Sequence, residues 1–373
     1  MSDKLRNYAT ILLSAVFIFG LAFWCLVKPA DTVSYSERKE LEPFPEFSAD
    51  ALLDTSFMKD FETYTTQQFP LRDQFRTVKA FLALYGLQQE DVNGIYISDG
   101  YASAMDYPLD NASISHAAER FQYVYDQYLK DTNSRVYLSI VPDKNYFMAE
   151  PSGHPMMDYA ALVENLRAQC PDMTYIDIFN TLALEDYYRT DTHWRQEKLI
   201  DTAQAVAQAM GTSISGEYEV NRLEQPFYGV YYGQSALPLP ADELYYLTND
   251  TLDQCTVFYH EFNKTGSLYE LSYAEGYDPY EIFLSGTRSL LKITNPNAET
   301  GKRLIVFRDS FGSSLLPLLA EGYSEILAID IRALPPQQLR NPMLDNGQPI
   351  DFDNCDVLFL YSTLVLNNSE TIK

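Results

Sequence analysis

Basic residues are scarce in this chain of 373 residues. Lysine and arginine together number 27 against 52 aspartates and glutamates, which gives a formal net charge of −25. Such a surface repels phosphate backbones, so we expect no nucleic-acid partner. Histidine is also rare, with four residues, and the four cysteines lie far apart. Because no metal-binding spacing, P-loop or dinucleotide fingerprint is present in the sequence, we expect no metal and no cofactor.

One long apolar run stands near the start of the sequence. Tyr8 to Val27 holds twenty residues without a charge, which is enough to cross a hydrocarbon core of ~30 Å as a helix. Lys4 and Arg6 precede it, which predicts a single-pass protein of the cell membrane with a cytoplasmic N-terminus and an extracellular main domain. A cleaved signal peptide is the alternative. Because the run is long and no small-x-small site follows it, we favour an uncleaved signal-anchor over residues 1–30.

The rest of the chain changes character at about residue 91. Residues 31–90 begin with the proline-bearing "EPFPEF" and predict an extended arm followed by helices. From 91 to 373, short apolar runs such as "RVYLSIVP", "KRLIVF" and "CDVLFLYS" alternate with helical patterns. This alternation predicts an α/β domain with a doubly wound parallel sheet. A tyrosine-rich stretch at about 217–279 interrupts it and predicts a β-rich insertion.

A serine follows one of the predicted buried strands. The strand at Leu304 to Phe307 runs into Arg308, Asp309 and Ser310, and a helix is predicted to begin near Phe311. Ser310 would therefore lie at the carboxyl end of a sheet strand, where ligands bind in open α/β sheets. It would also lie at a helix N-terminus, whose amides favour a developing oxyanion. The alternative is that Asp309 or Ser310 only caps the helix.

A second segment, "YYRTDTHW", supplies an acid and a base. Residues i and i+2 of an extended segment project from the same side, so Asp191 and His193 can share a face. A carboxylate on one imidazole nitrogen leaves the other nitrogen free to deprotonate a serine. A hydrogen bond between such close neighbours needs a turn, and the alternative is that Thr190 or Asp191 caps the following helix. Together with Ser310 the two residues make up a serine-hydrolase constellation.

Several segments in order resemble a known family. They are "YSERKELEPFPEFS", "FMKDFETYTTQQFPLRDQF", "YYRTDTHW", "FYGVYYGQSA", "YDPYEIFLSG" and "LIVFRDSFGSSLLPLLAEGYSEILAIDIR". The chain resembles the DHHW family of bacterial cell-surface proteins, which is similar to the alginate O-acetyltransferase group with its SGNH-hydrolase-like fold. Thr192 stands where the namesake motif has its first histidine. "SGTRS" at 285–289 stands where we expect Gly-Gly-Asn, so Thr287 would be a poorer oxyanion donor than asparagine.

The resemblance implies roles for particular residues. Ser310 would be the nucleophile, His193 the general base and Asp191 its orienting partner. The candidate oxyanion or substrate-binding residues are Gly286, Thr287, Arg308, Trp194 and Lys144. For Arg308 we favour a structural role, and for Lys144 an ion pair with Asp143 in a loop.

These expectations favour a membrane-anchored extracytoplasmic serine acyltransferase or esterase. It would act on acetyl groups of a cell-envelope or exported glycan. If it is a transferase, the resemblance implies a membrane-bound O-acyltransferase as acyl donor. The sequence does not separate transferase from esterase. A catalytically inactive glycan-binding or scaffold protein of the envelope is the alternative, which the altered "SGTRS" loop favours.

Overall fold

The computed structural model describes residues 3–373. The chain divides into two compact units, and most of the smaller one comes from the first part of the sequence. Unit 1 comprises Met1–Val92 and Tyr232–Pro238, and unit 2 comprises Asn93–Tyr231 and Leu239–Lys373.

Unit 1 is built from helices and one small hairpin. Its elements are α1 (Asp3–Val27), β1 (Val33–Ser34), β2 (Lys39–Glu40), α2 (Ala49–Leu53), α3 (Ser56–Gln67) and α4 (Arg72–Phe81), which continues as a π-helical turn at Leu82–Gly86. None of the side chains of α1 is buried, and the helix is long and apolar enough to cross a membrane. The apolar helix therefore indicates a signal sequence or a membrane anchor.

The predicted arm of unit 1 packs on α3. Phe44 lies edge-on against Phe61 and Tyr64, with ring centroids 5.9 and 5.3 Å apart, and Phe47 contacts Phe57 in the same way. The helix presents these aromatic residues on one face because they recur at spacings of three and four. The aromatic contacts fix the course of the "EPFPEF" segment.

Unit 2 alternates strands and helices around one large sheet. In chain order its elements are β3 (Ile95–Ser98), β4 (Tyr101–Ala104), α5 (Asn111–Val124), β5 (Arg135–Val141), α6 (Lys144–Ser152), α7 (Tyr159–Gln169), β6 (Thr174–Ile176), α8 (Ile200–Ala209), β7 (Glu219–Arg222), α9 (Val230–Ser235, whose last residues belong to unit 1), β8 (Tyr245–Thr248), β9 (Thr256–Tyr259), β10 (Lys264–Gly266), β11 (Leu290–Thr294), β12 (Arg303–Arg308), α10 (Gly312–Leu319), β13 (Glu325–Ile329), β14 (Asp356–Ser362) and α11 (Thr363–Asn367).

The large sheet has eight strands in the order β10-β9-β11-β13-β12-β14-β5-β6. Strands β13, β12, β14, β5 and β6 are parallel, as predicted. The predicted parallel sheet is confirmed in part, because β11 pairs antiparallel with both β13 and β9, and β9 pairs antiparallel with β10. The connection from β11 to β12 is only residues 295–302, which is too short for a parallel crossover. The sheet is therefore mixed and mostly parallel.

Side chains on both faces of this sheet are buried. In β12, Leu304 and Val306 join one core cluster, whereas Ile305 and Phe307 join the other. Burial on both faces explains the short uninterrupted apolar runs in the sequence. The parallel strands also deliver the residues that follow them to one edge. Ser310 follows β12, Thr363 follows β14 and Lys144 follows β5.

Within the predicted insertion at 217–279 the strands divide between two sheets. β7 and β8 form a separate antiparallel pair, whereas β9 and β10 extend the large sheet.

Candidate active site

Ser310 lies on a tight turn between β12 and α10. Asp309, which precedes it, is fully buried, and its carboxylate accepts hydrogen bonds from the amides of Phe311 at 3.0 Å and Ser362 at 2.7 Å. This carboxylate fixes the turn and joins the ends of β12 and β14. The side chain of Ser310 is half-buried. The amide of Ser310 has no acceptor among residues 3–373 and lies two residues before the start of α10.

His193 bridges Asp191 and Ser310. Its Nδ1 lies 2.6 Å from Asp191 Oδ1, and its Nε2 lies 2.8 Å from Ser310 Oγ. Asp191 is fully buried, and His193 is 8% exposed. Because a carboxylate only accepts, Nδ1 carries the proton and Nε2 accepts the hydrogen of the Ser310 hydroxyl. The structure thus brings together the three residues that the sequence singled out.

A turn at Asp191 makes this arrangement possible between residues only two apart. The amide of His193 donates to Asp191 Oδ1 at 3.0 Å, so the carboxylate folds back on its own backbone. The second oxygen, Oδ2, accepts from the amide of Val230 at 2.8 Å. Gly229 also comes close, since a Cβ added there would lie 2.3 Å from Asp191 Cα. The backbone at 229–230 therefore supports the acid directly.

Aromatic rings hold the imidazole in its plane. Tyr280 stacks on His193 with ring centroids 4.0 Å apart and an interplanar angle of 9°, and Phe311 contacts the imidazole ring at 5.1 Å. The Tyr280 hydroxyl lies 2.9 Å from Ser314 Oγ, which ties this ring to α10. Because Tyr280 and Phe311 are themselves buried, the orientation of His193 is set by packing as well as by Asp191.

Asp242 and Lys144 clamp the backbone just before Asp191. The Asp242 carboxylate accepts from the amides of Arg189 and Thr190, both at 2.8 Å, and from the Thr190 hydroxyl at 2.6 Å. Lys144 Nζ donates to the carbonyls of Tyr188 at 2.8 Å and Arg189 at 3.3 Å. Asp242 and Gly229 were not among the residues singled out from the sequence. The quoted motif "FYGVYYGQSA" contains the glycine, whereas nothing local marks the aspartate.

Three of the predicted substrate-binding residues are buried instead. Trp194 is fully buried, and its Nε1 donates to the Phe311 carbonyl at 3.1 Å and to Ser314 Oγ at 2.9 Å. Arg308 is also fully buried, and its Nη1 donates to Ser313 Oγ at 2.9 Å. Lys144 is 1% exposed. Each of these side chains is enclosed by the elements that it holds together, as the structural role favoured for Arg308 predicts.

The predicted ion pair between Asp143 and Lys144 is replaced by other contacts. Asp143 Oδ1 accepts from the Tyr159 hydroxyl at 2.5 Å, while Lys144 donates to the two carbonyls described above. Burial raises the pKa of Asp143 to about 7 and lowers the pKa of Lys144 to about 7. Desolvation therefore disfavours the charged form of both groups.

The "SGTRS" loop provides little for an oxyanion. The amide of Gly286 donates to the Phe283 carbonyl at 3.1 Å, so the expected donor is already used. Thr287 is exposed. The loop does lie at the carboxyl edge of the parallel strands, because Leu290 at the start of β11 pairs with Ile329 at the end of β13. The amide of Ser310, unlike that of Gly286, is therefore available as an oxyanion donor.

Solved structures share this fold. A DHHW family protein from Eubacterium siraeum matches with a TM-score of 0.57 at 21% identity, over 76% of this chain and 95% of that one. PatB1 from Bacillus cereus matches with a TM-score of 0.57 at 18% identity, over 75% and 98%, and it has also been solved with a sulfonyl adduct. The O-acetyltransferase domain of Pseudomonas putida AlgJ is more distant, with a TM-score of 0.46 at 13% identity over 74% and 92%.

The likenesses to the DHHW family protein and to PatB1 confirm the resemblance at the level of the fold. The chain has an α/β fold that is SGNH-hydrolase-like by its structural neighbours. No protein-family profile matches the sequence, and no curated protein matches it.

Proposed function

We propose that this protein is a serine O-acyltransferase or esterase of the cell envelope, with Ser310, His193 and Asp191 as its catalytic triad. The observation that carries the proposal is the position of His193. Its two ring nitrogens lie within 2.6 and 2.8 Å of a buried carboxylate oxygen and a half-buried hydroxyl. A base that is oriented by an acid and contacts a hydroxyl is the arrangement that activates a serine.

The proposed reaction has two halves. Ser310 Oγ attacks the acyl carbonyl carbon while His193 Nε2 takes the hydroxyl proton. The bond between the acyl carbon and the leaving oxygen then breaks, and the imidazolium returns its proton to that oxygen. A sugar hydroxyl or a water molecule then attacks the acyl carbon and gives its proton to His193. The bond between the acyl carbon and Ser310 Oγ breaks, and the imidazolium returns a proton to Oγ, which regenerates Ser310. The amide of Ser310 would stabilise the oxyanion in both halves.

The proposed setting is the outer face of the cell membrane, with α1 as an uncleaved anchor. Lys4 and Arg6 before the apolar run support a cytoplasmic N-terminus. The proposed acceptor is a hydroxyl of a cell-envelope or exported glycan. As a transferase, the protein would receive its acetyl group from a membrane-bound O-acyltransferase partner. The AlgJ domain is named an O-acetyltransferase, which makes acetyl the first acyl group to test.

A catalytically inactive glycan-binding protein is the second candidate. The observation that favours it is the Gly286 amide, which is satisfied by Phe283 and leaves the "SGTRS" loop without that oxyanion donor. Such a protein would keep the Asp191–His193–Ser310 hydrogen bonds as structure and would bind glycan without turnover.

Labelling with an arylsulfonyl fluoride tests the proposal without knowledge of the substrate. The detergent-solubilised full chain is incubated with the reagent, and intact-mass and peptide mass spectrometry locate the adduct. We expect one adduct per chain, on Ser310, together with hydrolysis of an aryl acetate that Ser310→Ala abolishes. Ser98→Ala is the matched control, and it should label and turn over like the wild type.

The outcomes separate the candidates. No adduct on Ser310 and no turnover, with glycan retention unchanged in Ser310→Ala, would overturn the enzyme proposal in favour of the binding protein. If the enzyme is active, an added glycan that consumes the acyl group faster than water does identifies the transferase.

A further inference from the structure

Helix α4 and its π-helical turn leave an apolar face uncovered within unit 1. Leu71, Phe75, Val78, Leu82 and Tyr85 follow one another at spacings of four, three, four and three, which places them along one face. All five are exposed, from 39% for Phe75 to 75% for Tyr85. We call this row of residues the α4 stripe. Large apolar side chains that form a continuous exposed row mark an interaction surface.

The opposite face of α4 is held in place, so the stripe cannot turn inward. Arg76 donates to the Gly233 carbonyl, and the Thr77 hydroxyl donates to the Ala236 carbonyl at 2.8 Å. Ala80, on the same side, is fully buried. These contacts lie within unit 1 and fix the rotation of the helix about its axis.

A basic edge runs beside the stripe. Arg72, Arg76 and Lys79 follow one another at spacings of four and three. Glu37 pairs with both arginines, so the exposed Lys79 is the available cation. All three basic residues line a groove of about 760 Å³, which is also lined by Cys25 near the end of α1. The groove therefore places α4 beside the point at which the apolar helix ends.

We propose that α4 lies in the membrane interface at the face from which α1 emerges, with the α4 stripe in the acyl-chain boundary and Lys79 at anionic phosphate headgroups. An exposed apolar stripe flanked by cationic side chains is the pattern of a helix that lies in a membrane surface. The occupant is lipid because α4 adjoins a helix with the length and composition of a membrane span. This inference does not depend on the proposed chemistry at Ser310.

Spin labels on the full chain in lipid nanodiscs test the placement. In a Cys25→Ser background, single nitroxides are attached at Val78→Cys, Leu82→Cys and, as the matched control on another face of the same helix, Asp73→Cys. Accessibility to oxygen and to a water-soluble nickel chelate is then measured by power-saturation EPR. Substitution at these exposed positions removes no buried contact, so the fold is retained.

We expect labels at 78 and 82 to be reached by oxygen and shielded from nickel, and the label at 73 to show the reverse. Nickel access at all three positions would show that the stripe lies in water and would overturn the proposal. Exclusion of both reagents at 78 and 82 would mean that protein covers the stripe, which also overturns it.

A charge reversal at Lys79 tests the contact with anionic headgroups separately. Lys79→Glu should reduce the depth of the label at 78 in mixed phosphatidylcholine–phosphatidylglycerol nanodiscs, with little change in pure phosphatidylcholine. An equal change in the depth of the label in both lipids would show that Lys79 does not bind anionic headgroups.

Discussion

Two segments lie at the carboxyl edge of the large sheet, and the structure holds them very differently. The backbone from Tyr188 to His193 is hydrogen-bonded to the Asp242 carboxylate, to Lys144 Nζ and to the amide of Tyr231, which donates to the Thr190 carbonyl. The loop at 285–289 is held by more scattered contacts: the Gly286 amide donates to the Phe283 carbonyl, Ser289 bonds to Glu261 and to the amide of Asp330, and Arg288 donates to the Tyr273 hydroxyl.

The backbone conformations of the two segments also differ. Leu284, Ser285 and Gly286 all have positive φ, at 55°, 57° and 78°, a region that is costly for the two residues that carry a Cβ. None of the residues from Tyr188 to His193 has positive φ. Contacts that converge on a short stretch of backbone fix its side chains for chemistry. The comparison therefore assigns precise positioning to the Asp191 turn and only a minor part to the loop.

The largest expected effect comes from Gly229→Ala. The new Cβ would lie 2.3 Å from the backbone and Cβ of Asp191, so the acid must move. A displacement of about 1 Å at a catalytic group can cost on the order of 10²-fold in rate. We expect a loss of that size in the rate of Ser310 labelling by sulfonyl fluoride.

Gly233→Ala provides the matched control for this variant. A Cβ at Gly233 would lie 2.3 Å from the Ser36 carbonyl oxygen, an equally severe clash that is confined to unit 1. Labelling of Ser310 should stay near the wild-type rate in Gly233→Ala. Equal losses of labelling rate in the two variants would indicate general misfolding and would show that the Asp191 turn does not position the triad.

Asp242→Asn should have the next largest effect. Its amide nitrogen cannot accept a hydrogen bond, so one of the donors from Arg189 or Thr190 loses its partner. An unsatisfied buried donor costs about 1–3 kcal/mol. We expect a roughly tenfold lower labelling rate, in line with a loss of this size spread between stability and positioning, and a lower midpoint in denaturant.

Surface Asp253→Asn is the control for the change in charge. If Asp242→Asn lowers stability but leaves the labelling rate of the folded fraction unchanged, Asp242 supports the fold without positioning the triad.

The sequence predicted the parts of the molecule that depend on local pattern. The parallel strands were recognisable because apolar runs such as Leu304 to Phe307 are buried on both faces. The antiparallel edge was not, because strand direction depends on the length of the connection between β11 and β12. Asp191, His193 and Ser310 were singled out from two short segments, and the structure places them in hydrogen-bond contact.

The residues that support these three could not be found in the same way. Asp242 reaches Thr190 across 52 positions of sequence, and no local pattern around it signals that contact. Tyr280 stands in the quoted segment "YDPYEIFLSG", but its stacking on His193 depends on tertiary packing. Burial likewise decides the roles of Arg308 and Trp194, and burial at a strand end is not readable from residue type.

Lys144→Met tests how the turn is held as pH changes. Burial lowers the pKa of Lys144 to about 7, and its unfolded value is near 10.5. Between these two values the unfolded chain binds more protons than the folded one, so this group makes stability rise with pH. Between pH 7 and pH 9.5, the free energy of unfolding of the wild type should increase relative to that of Lys144→Met, by about 1.4 kcal/mol per pH unit.

Denaturant unfolding of both proteins at each pH measures this difference, and comparison of the two cancels the titration of the buried tyrosines that they share. Exposed Lys130→Met should show no such trend relative to the wild type. A constant difference across the range would mean that Lys144 stays charged while it holds the carbonyls of Tyr188 and Arg189.

The smallest effect is expected at Thr287→Ala, in the loop at 285–289. Thr287 is exposed, and the neighbouring Gly286 amide already donates to Phe283, so neither the Thr287 side chain nor the Gly286 amide is held as an oxyanion donor. We expect less than about a twofold change in the rates of Ser310 labelling and aryl acetate hydrolysis, because loss of a preorganised oxyanion donor would cost about 10²-fold. A loss near that larger value would show that the loop reorganises when substrate binds and that Thr287 then contacts the reacting group. In that case both segments at the sheet edge would serve the chemistry, and the contrast between them would hold only for the unliganded protein.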